Sequence, residues 1–446
     1  IVHNSLMMRI SAIALLGLGG IAVAHAEPIA QCDPQRFFPD FEPRSLEFAV
    51  AVAISDEHLL IADRFADKVY TYRRDGLGAW VLNHTVPGSS GGAVQLDSYR
   101  FITGSLGVER YGGAVIYEFD GDRWSEVAQL ESPDDPVYSS SGYVVALHGQ
   151  AAAFTNWGTR VALFRETDGE WEFVRELRGD VAQPGGPGFG GAMAMDERFF
   201  VVSAPFEDVT GVRNGAVYVY RWDDDGEPEL VQKLLPEPAD FGPSLGTSLA
   251  LEGDTLVVGA VFDGVDRDLY GAAFVYGLVD GRWELSQKIT APQPTNGAYF
   301  GSVALHGDVL AVGAHGEFSG GDGVGTVHLY RRSPAGLWKH AEQVTLSGTF
   351  GEGYGARVSL SSTQLVTGAR DARHMGFDQG VADVYDLDCL LCAADFDADG
   401  RLTLFDFLAF FNAFEDGDPI ADFDRDGEFT LFDFLAFQDA FDAGCG

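Results

Sequence analysis

Basic residues are scarce in this 446-residue chain: 29 lysines and arginines stand against 67 acidic residues, only four of the 29 are lysines, and the formal charge is −38. Nucleic acid and anionic membrane surfaces both demand cationic patches, so neither is an expected partner. Cysteine is nearly absent, with four residues in all, which excludes a small disulfide-built scaffold. After residue 26 no apolar run is long enough to span a bilayer. Signatures of chemistry are missing as well. The ten histidines are scattered without an H-E-x-x-H pair. Gly88 to Gly92 matches G-x-S-x-G on paper but leads into a strand pattern, so it is not read as a nucleophile elbow. The glycine run Gly185 to Gly191 has no helix after it and is not read as a phosphate cradle. Catalytic residues are therefore not assigned.

The start of the chain reads as a bacterial signal peptide, residues 1–26. Met8-Arg9 is a weak positive start, Ile10 to Val23 is apolar but short, and Ala24-His25-Ala26 offers a small-x-small cleavage site before Glu27. Residues before Met7 or Met8 are read as an upstream extension of the reading frame. Gln31 before Cys32 spoils a lipoprotein box, so an exported protein without a lipid anchor is expected, secreted or at the cell surface.

What the chain has in abundance is repetition. From Phe48 to Asp388 an apolar strand, a tight turn, a second strand ending in Gly-Ala, a variable loop and a third strand ending in Tyr recur. The anchor residues Ile54, Leu96, Leu147, Met195, Leu251, Leu305 and Leu360 lie 42 to 56 residues apart. Four short strands every fifty residues or so is the spacing of β-propeller blades, and seven anchors predict seven blades within residues 27–391. Trp80, Trp124, Trp171, Trp283 and Trp338 recur on the fourth strand, and so regular a place predicts packing between blades rather than sugar stacking. The last repeat lacks a fourth strand, and Arg36 to Phe41 is the candidate to supply it from the N-terminus. Closure would bring Cys32 to Cys389, leaving Cys392 to pair with Cys445; these are the expected disulfides. The Cys389-x-x-Cys392 spacing also admits zinc or redox chemistry, although no second pair or nearby histidine supports it.

The later repeats resemble FG-GAP repeats of integrin-α-type propellers. Phe189-Gly190, Phe300-Gly301 and Tyr354-Gly355 open first strands, and Gly259-Ala260, Gly313-Ala314 and Gly368-Ala369 close second strands. No calcium loop is expected in the propeller, since Asp263 to Asp268 lacks the D-x-D-x-D-G spacing. The loops after second strands, Pro205–Asn214, Val261–Tyr270, His315–Val324 and Arg370–Gln379, are expected to gather on one rim. They carry Asp263, Asp266, Arg267, Tyr270, His315, Glu317, Arg370, Arg373 and His374 as candidates for a binding surface.

The last fifty-odd residues differ from everything before them. Ala394 to Phe414 recurs as Ala421 to Phe441, offset by 27 residues and identical at 16 of 21 positions. Each copy has aspartates at loop positions 1, 3, 5 and 12 and glycine at position 6, the ligand spacing of an EF-hand calcium loop. Two calcium ions are expected. One set of ligands is Asp395, Asp397, Asp399, Asp406 and the Arg401 carbonyl; the other is Asp422, Asp424, Asp426, Asp433 and the Glu428 carbonyl. Thr403 and Thr430 are placed to hold bridging waters. Without metal these carboxylates repel one another, so calcium-dependent folding is expected. Residues 392–446 resemble a dockerin, the module that docks secreted proteins onto cohesin domains. Aspartate at position 12, the missing entry helix and the terminal Gly444-Cys445 resemble the GC-type dockerins of planctomycete-like bacteria. Cellulosomal dockerins carry small hydroxylated residues at positions 10 and 11. Here those positions hold Leu404-Phe405 and Leu431-Phe432, which points to a different cohesin-like partner.

Residues 395–446 hold 12 phenylalanines, more than so small a module buries comfortably. Leu404, Phe405 and Phe411, with their counterparts Leu431, Phe432 and Gln438, are the expected partner-facing surface. The expected protein is a binding propeller anchored by a calcium-dependent docking module. The alternative is a dockerin-anchored polysaccharide hydrolase or lyase with its site on the propeller loops.

Overall fold

A computed structural model describes residues 33–39, 47–76, 78–87, 92–105, 112–133, 142–156, 160–179, 188–208, 214–236, 244–264, 268–317, 325–333, 335–345, 353–370, 372–374, 377–378, 380–392, 394–396, 402–418, 421–423 and 428–443. At 156, 373–374, 377–378, 416 and 443 only the backbone is described. The signal-peptide reading at residues 1–26 falls outside these. Among the described residues, no helix is long and apolar enough to cross a membrane.

Seven four-stranded antiparallel sheets follow one another along the chain, with strands in sequence order inside each of the first six. All seven anchor residues fall on the first strand of a sheet, from Ile54 in Phe48–Ile54 to Leu360 in Arg357–Leu360. Consecutive first strands touch, and Arg357–Leu360 touches Phe48–Ile54, so the ring closes on itself as a seven-bladed propeller. The seventh sheet is completed by Gln35–Phe37, which pairs with Val381–Asp386 in the register Gln35↔Val384, Arg36↔Asp383, Phe37↔Ala382. The closing strand is thus the predicted one, starting a residue earlier and ending at Phe37 rather than Phe41.

Charge locks that closure. Arg36 donates Nε and Nη2 to the two Asp383 oxygens at 2.7 and 2.8 Å, and the Asp383 side chain is fully buried. Tyr354 donates its hydroxyl to Asp383 at 3.3 Å and shares a 2.8 Å bond with the Tyr385 hydroxyl. A bidentate guanidinium–carboxylate pair inside a blade fixes strand register as well as adding energy.

The fourth-strand tryptophans do pack between blades. Trp80, Trp124, Trp283 and Trp338 are buried, with Trp171 partly so. Trp80 donates its indole N–H to Gln364 of the last blade at 2.8 Å, and Trp283 meets Phe199 of the preceding blade edge-on at 5.4 Å. For three of the five, a glutamine on the preceding fourth strand clamps the backbone of the tryptophan in both directions. Gln35 holds Trp80, Gln232 holds Trp283 and Gln287 holds Trp338, all at 2.8–3.0 Å.

The recurring Phe-Gly and Gly-Ala pairs have one physical cause. The second residue of each first-strand opening has a positive φ in every blade: Ala49, Gly92, Gly142, Gly190, Gly246, Gly301 and Gly355. The turn brings its backbone against the second strand of the preceding blade. A Cβ on Gly313 would sit 1.8 Å from the Gly355 carbonyl oxygen, so only glycine fits there. At the closing seam Ala49 takes the positive-φ place, at φ 59, and Gly368 lies beneath it.

Beyond the propeller, a short helix α1 (Leu387–Leu390) leads to helices α2 (Leu404–Asp416) and α3 (Leu431–Ala443). These two helices form a separate aromatic core with an internal two-fold pattern. Phe410 stacks on Phe437 at 4.2 Å and 4°, and Phe407 meets its counterpart Phe434 at 5.7 Å and 90°. Phe396 contacts Phe410 at 5.5 Å, and the equivalent pair Phe423–Phe437 stands at 5.6 Å. Sequence duplication has become structural duplication, with each ring facing its own repeat.

Candidate functional site

Two places in the molecule concentrate features that packing alone does not require. The first is the pair of helices α2 and α3. Thr403 caps α2, accepting from the Phe405 N–H at 3.1 Å while Asp406 accepts from the Thr403 N–H at 2.7 Å. Thr430 and Asp433 repeat this arrangement at 3.1 and 2.7 Å, and Asp433 also accepts from Phe423 N–H at 2.7 Å. The threonines expected to hold water are therefore helix caps, in the capping-box pattern that an acidic residue three positions on completes. Asp406 and Asp433 are fully buried, and Asp395 nearly so. A buried carboxylate is costly unless its oxygens are satisfied, which the backbone N–H groups begin to do. Asp422 and Glu428 are described as well, but Asp397, Asp399, Arg401, Asp424 and Asp426 lie outside the described residues. Among the described residues no group of three metal-ligating side chains converges.

On the outside of the same helices the balance reverses. Phe405 and Phe432 are 68% and 67% exposed, and Leu404 and Leu431 stand out beside them. Leu408 and Leu435 are also exposed, one turn on from Leu404 and Leu431, and were not singled out in the sequence. Phe411 and Gln438 are only partly buried and sit at the margin of this surface. Exposed leucine and phenylalanine at i, i+1 and i+4 recur on both helices, giving each an apolar patch, where a monomer of this size normally scatters such residues singly.

Cys389 and Cys392 are both disulfide-bonded. Their expected partners, Cys32 and Cys445, lie outside the described residues. Arg331 of the sixth blade donates to the Cys392 carbonyl at 3.2 Å, so the start of the module touches the propeller's lower rim.

The second place is the mouth of the central channel, on the face where first strands begin and second strands end. A cavity of about 260 Å³ is lined there by His315, Arg357, Arg370, Thr247, Ser248 and Ser302, with small residues between them. His315 and Arg370 come from the predicted rim loops; Arg357 opens the first strand of blade seven and was missed, because a lone arginine at a strand start has no motif. The other rim candidates scatter. Asp263 pairs with Lys288 at 2.7 Å, Tyr270 donates to Asp268 at 2.8 Å, and Glu317 bonds His328 at 2.7 Å. Asp266 and Arg267 are outside the described residues, as are the side chains of Arg373 and His374.

The Glu317–His328 contact belongs to a repeated structural device. Glu207 meets Tyr218 at 2.7 Å and Lys233 in blade four, and Asp263 meets Lys288, whose ammonium lies 5.1 Å from the Phe274 ring, in blade five. A carboxylate after the second strand thus anchors the third and fourth strands of its own blade. Burial, and then the neighbouring His328, holds His340 of this cluster down at about 4.

The arrangement defines a class: a seven-bladed β-propeller with a C-terminal helical segment, built in part from FG-GAP repeats. The FG-GAP repeat family matches residues 229–276 and 283–330, in blades four to six. Among solved structures, the chain is similar to a crystal structure of a protein from Lactobacillus plantarum. The two are 15% identical with a TM-score of 0.45, over 67% of this chain and 85% of that chain. No curated protein matches the chain.

Proposed function

We propose that this is an exported protein whose C-terminal module, residues 392–446, binds two calcium ions and docks the propeller onto a cohesin-like domain of a scaffold or cell surface. The observation that carries the reading is the duplicated apolar face on helices whose loops bear the calcium-loop spacing. Both copies bury the position-12 aspartate at the helix start and expose Leu-Phe directly before it. Near-identical copies related by an internal two-fold offer a partner two equivalent ways to bind. In this reading the disulfides are Cys32–Cys389 and Cys392–Cys445; Gln35 and Val384, a few residues from Cys32 and Cys389, face each other, which supports the first pairing. They would clamp the ring and the module separately.

The test uses the full chain with calcium as bait against cell-envelope extract, and the captured protein is identified. A cohesin-like domain retained with calcium, released by chelation and lost in Leu404→Ser/Phe405→Ser/Leu431→Ser/Phe432→Ser supports the proposal. Capture that ignores chelation and those substitutions sinks it.

A second reading is a polysaccharide hydrolase or lyase on the propeller, favoured by one observation: arginines and a histidine meet over the central channel. Turnover of an acidic polysaccharide, lost on His315→Gln, distinguishes it from a binding propeller.

A further inference from the structure

The channel mouth concentrates positive charge in a chain whose formal charge is −38. We propose that this cavity binds an oxyanion, a carboxylate or sulfate group carried by an acidic glycan or free in solution. This inference is independent of the docking module.

Between its small and apolar residues, the lining carries two arginines, a histidine and three hydroxyls, of which Ser302 already donates to the Ala356 carbonyl at 2.7 Å. Arg357 spans the seam between the last blade and the first, giving Nε to the Val50 carbonyl at 2.9 Å and Nη1 to the Ala356 carbonyl at 3.0 Å. Neither partner is charged, and a guanidinium has five N–H groups to place, so most of its donors and all of its charge are left for the cavity. Among the described residues Arg357 has no carboxylate within ion-pair distance, whereas Arg36 and Arg331 each have one and Arg100 has two. Arg370 contributes a second guanidinium from the loop after the second strand of blade seven. His315, from the neighbouring blade, stacks on Tyr299 at 5.2 Å and 11°, which fixes the plane of its ring.

Two hydroxyls extend the pattern. Thr247 accepts from the Val261 N–H at 3.3 Å and Ser248 accepts from the Val303 N–H at 3.1 Å. Each oxygen is used as an acceptor by the backbone, so its own hydrogen is the part left to give. No aspartate or glutamate is among the described lining residues. Guanidinium, imidazole and hydroxyl donors facing one space match the acceptor-only chemistry of a carboxylate or sulfate.

The electrostatics agree. Burial, and then the charges of Arg357 and Arg370, hold His315 below its ordinary value, so at neutral pH it faces the cavity uncharged and can still donate. The acidic surface elsewhere does not cancel this, because screening confines it to about 8–10 Å in ordinary buffer. At about 260 Å³ the cavity is just under the roughly 300–1,000 Å³ typical of drug-sized sites, which suits a small anion or one terminal sugar acid.

Isothermal titration of the full chain in about 0.1 M salt tests the proposal with three probes: trigalacturonate, sodium sulfate and the methyl-esterified trigalacturonate, in which the charge is removed. Saturable binding of either anion, weakened by added sodium chloride and at least about tenfold by Arg370→Gln or Arg357→Gln, is the expected result. Binding of trigalacturonate alone assigns the site to an acidic glycan; sulfate alone assigns it to a free oxyanion. The proposal is overturned if neither anion binds, if the ester binds as well as the acid, or if the arginine variants bind like the parent. Arg357→Gln removes a seam hydrogen bond, so its melting temperature is recorded. Should it fail to fold, Arg370→Gln, at an exposed position, and the salt series decide the matter.

Discussion

The propeller and the C-terminal module solve the burial problem in opposite ways. In the propeller each blade hides its apolar strands against two neighbours, and the seam between first and last blade is closed by Gln35–Phe37 and the Arg36–Asp383 pair. The large apolar side chains that remain outside among its described residues are dispersed around the ring, on outer strands and in turns. The module has two helices and one stack of phenylalanines, and among the described residues it leaves seven leucines and phenylalanines exposed, six of them as the same Leu-Phe-x-x-Leu pattern on each helix. A large ring can afford regular redundancy; a small module with an uncovered face needs something else to complete it. Calcium and a partner are the proposed complements of the second region.

Breaking the two regions separately sharpens this contrast. Asp383→Ala strips the buried partner from Arg36 and from Tyr354, and loss of one member of such a pair costs about 3–5 kcal/mol. Calorimetry should show the propeller transition falling sharply while calcium binding is unchanged. Phe437→Ala removes a ring that is fully buried against Phe410, Phe396 and Phe423, again about 3–5 kcal/mol. Here the module should lose its helical signal and the propeller transition should stay. If either substitution melts both regions together, they are one cooperative unit and the contrast fails.

Smaller changes probe the seam. Ala49 holds a left-handed conformation in which the other six blades place glycine, so Ala49→Gly should raise propeller stability by about 1 kcal/mol, read from denaturant midpoints. No gain there would mean that the surrounding blade carries no strain at this residue. Smallest is a pH effect. Burial holds His58 below its ordinary value, its Nδ1 has no hydrogen-bond partner among the described residues, and its ring lies against Phe119 and Trp124. The unfolded chain binds the proton more readily, so stability falls as pH drops below about 6.5, the unfolded value. His58→Leu should flatten that dependence.

The ring was legible in the sequence because its period is written in strand anchors and in glycines that sterics require, such as Gly313 under Gly355. The closing strand was legible because blade seven lacks a fourth strand of its own. The apolar face was half legible. Leu404-Phe405 and Leu431-Phe432 stood out by type, while Leu408 and Leu435 look like any helix core until burial is known. Arg357 could not be found at all, since its importance comes from meeting His315 and Arg370 across blades. The glutamine clamps on the tryptophan strands were likewise invisible, because each joins residues 45 or 51 apart through backbone geometry.

In the proposed function, the duplicated aspartate loops fold the module around calcium as a docking unit. The most direct measurement is a calcium titration of the chelator-treated full chain, followed by calorimetry and circular dichroism. The account predicts two ions bound per chain, with a gain of helical signal and of aromatic near-ultraviolet signal as the Phe410–Phe437 stack forms. A chain that binds no calcium, or whose spectra are the same with and without it, would contradict the account.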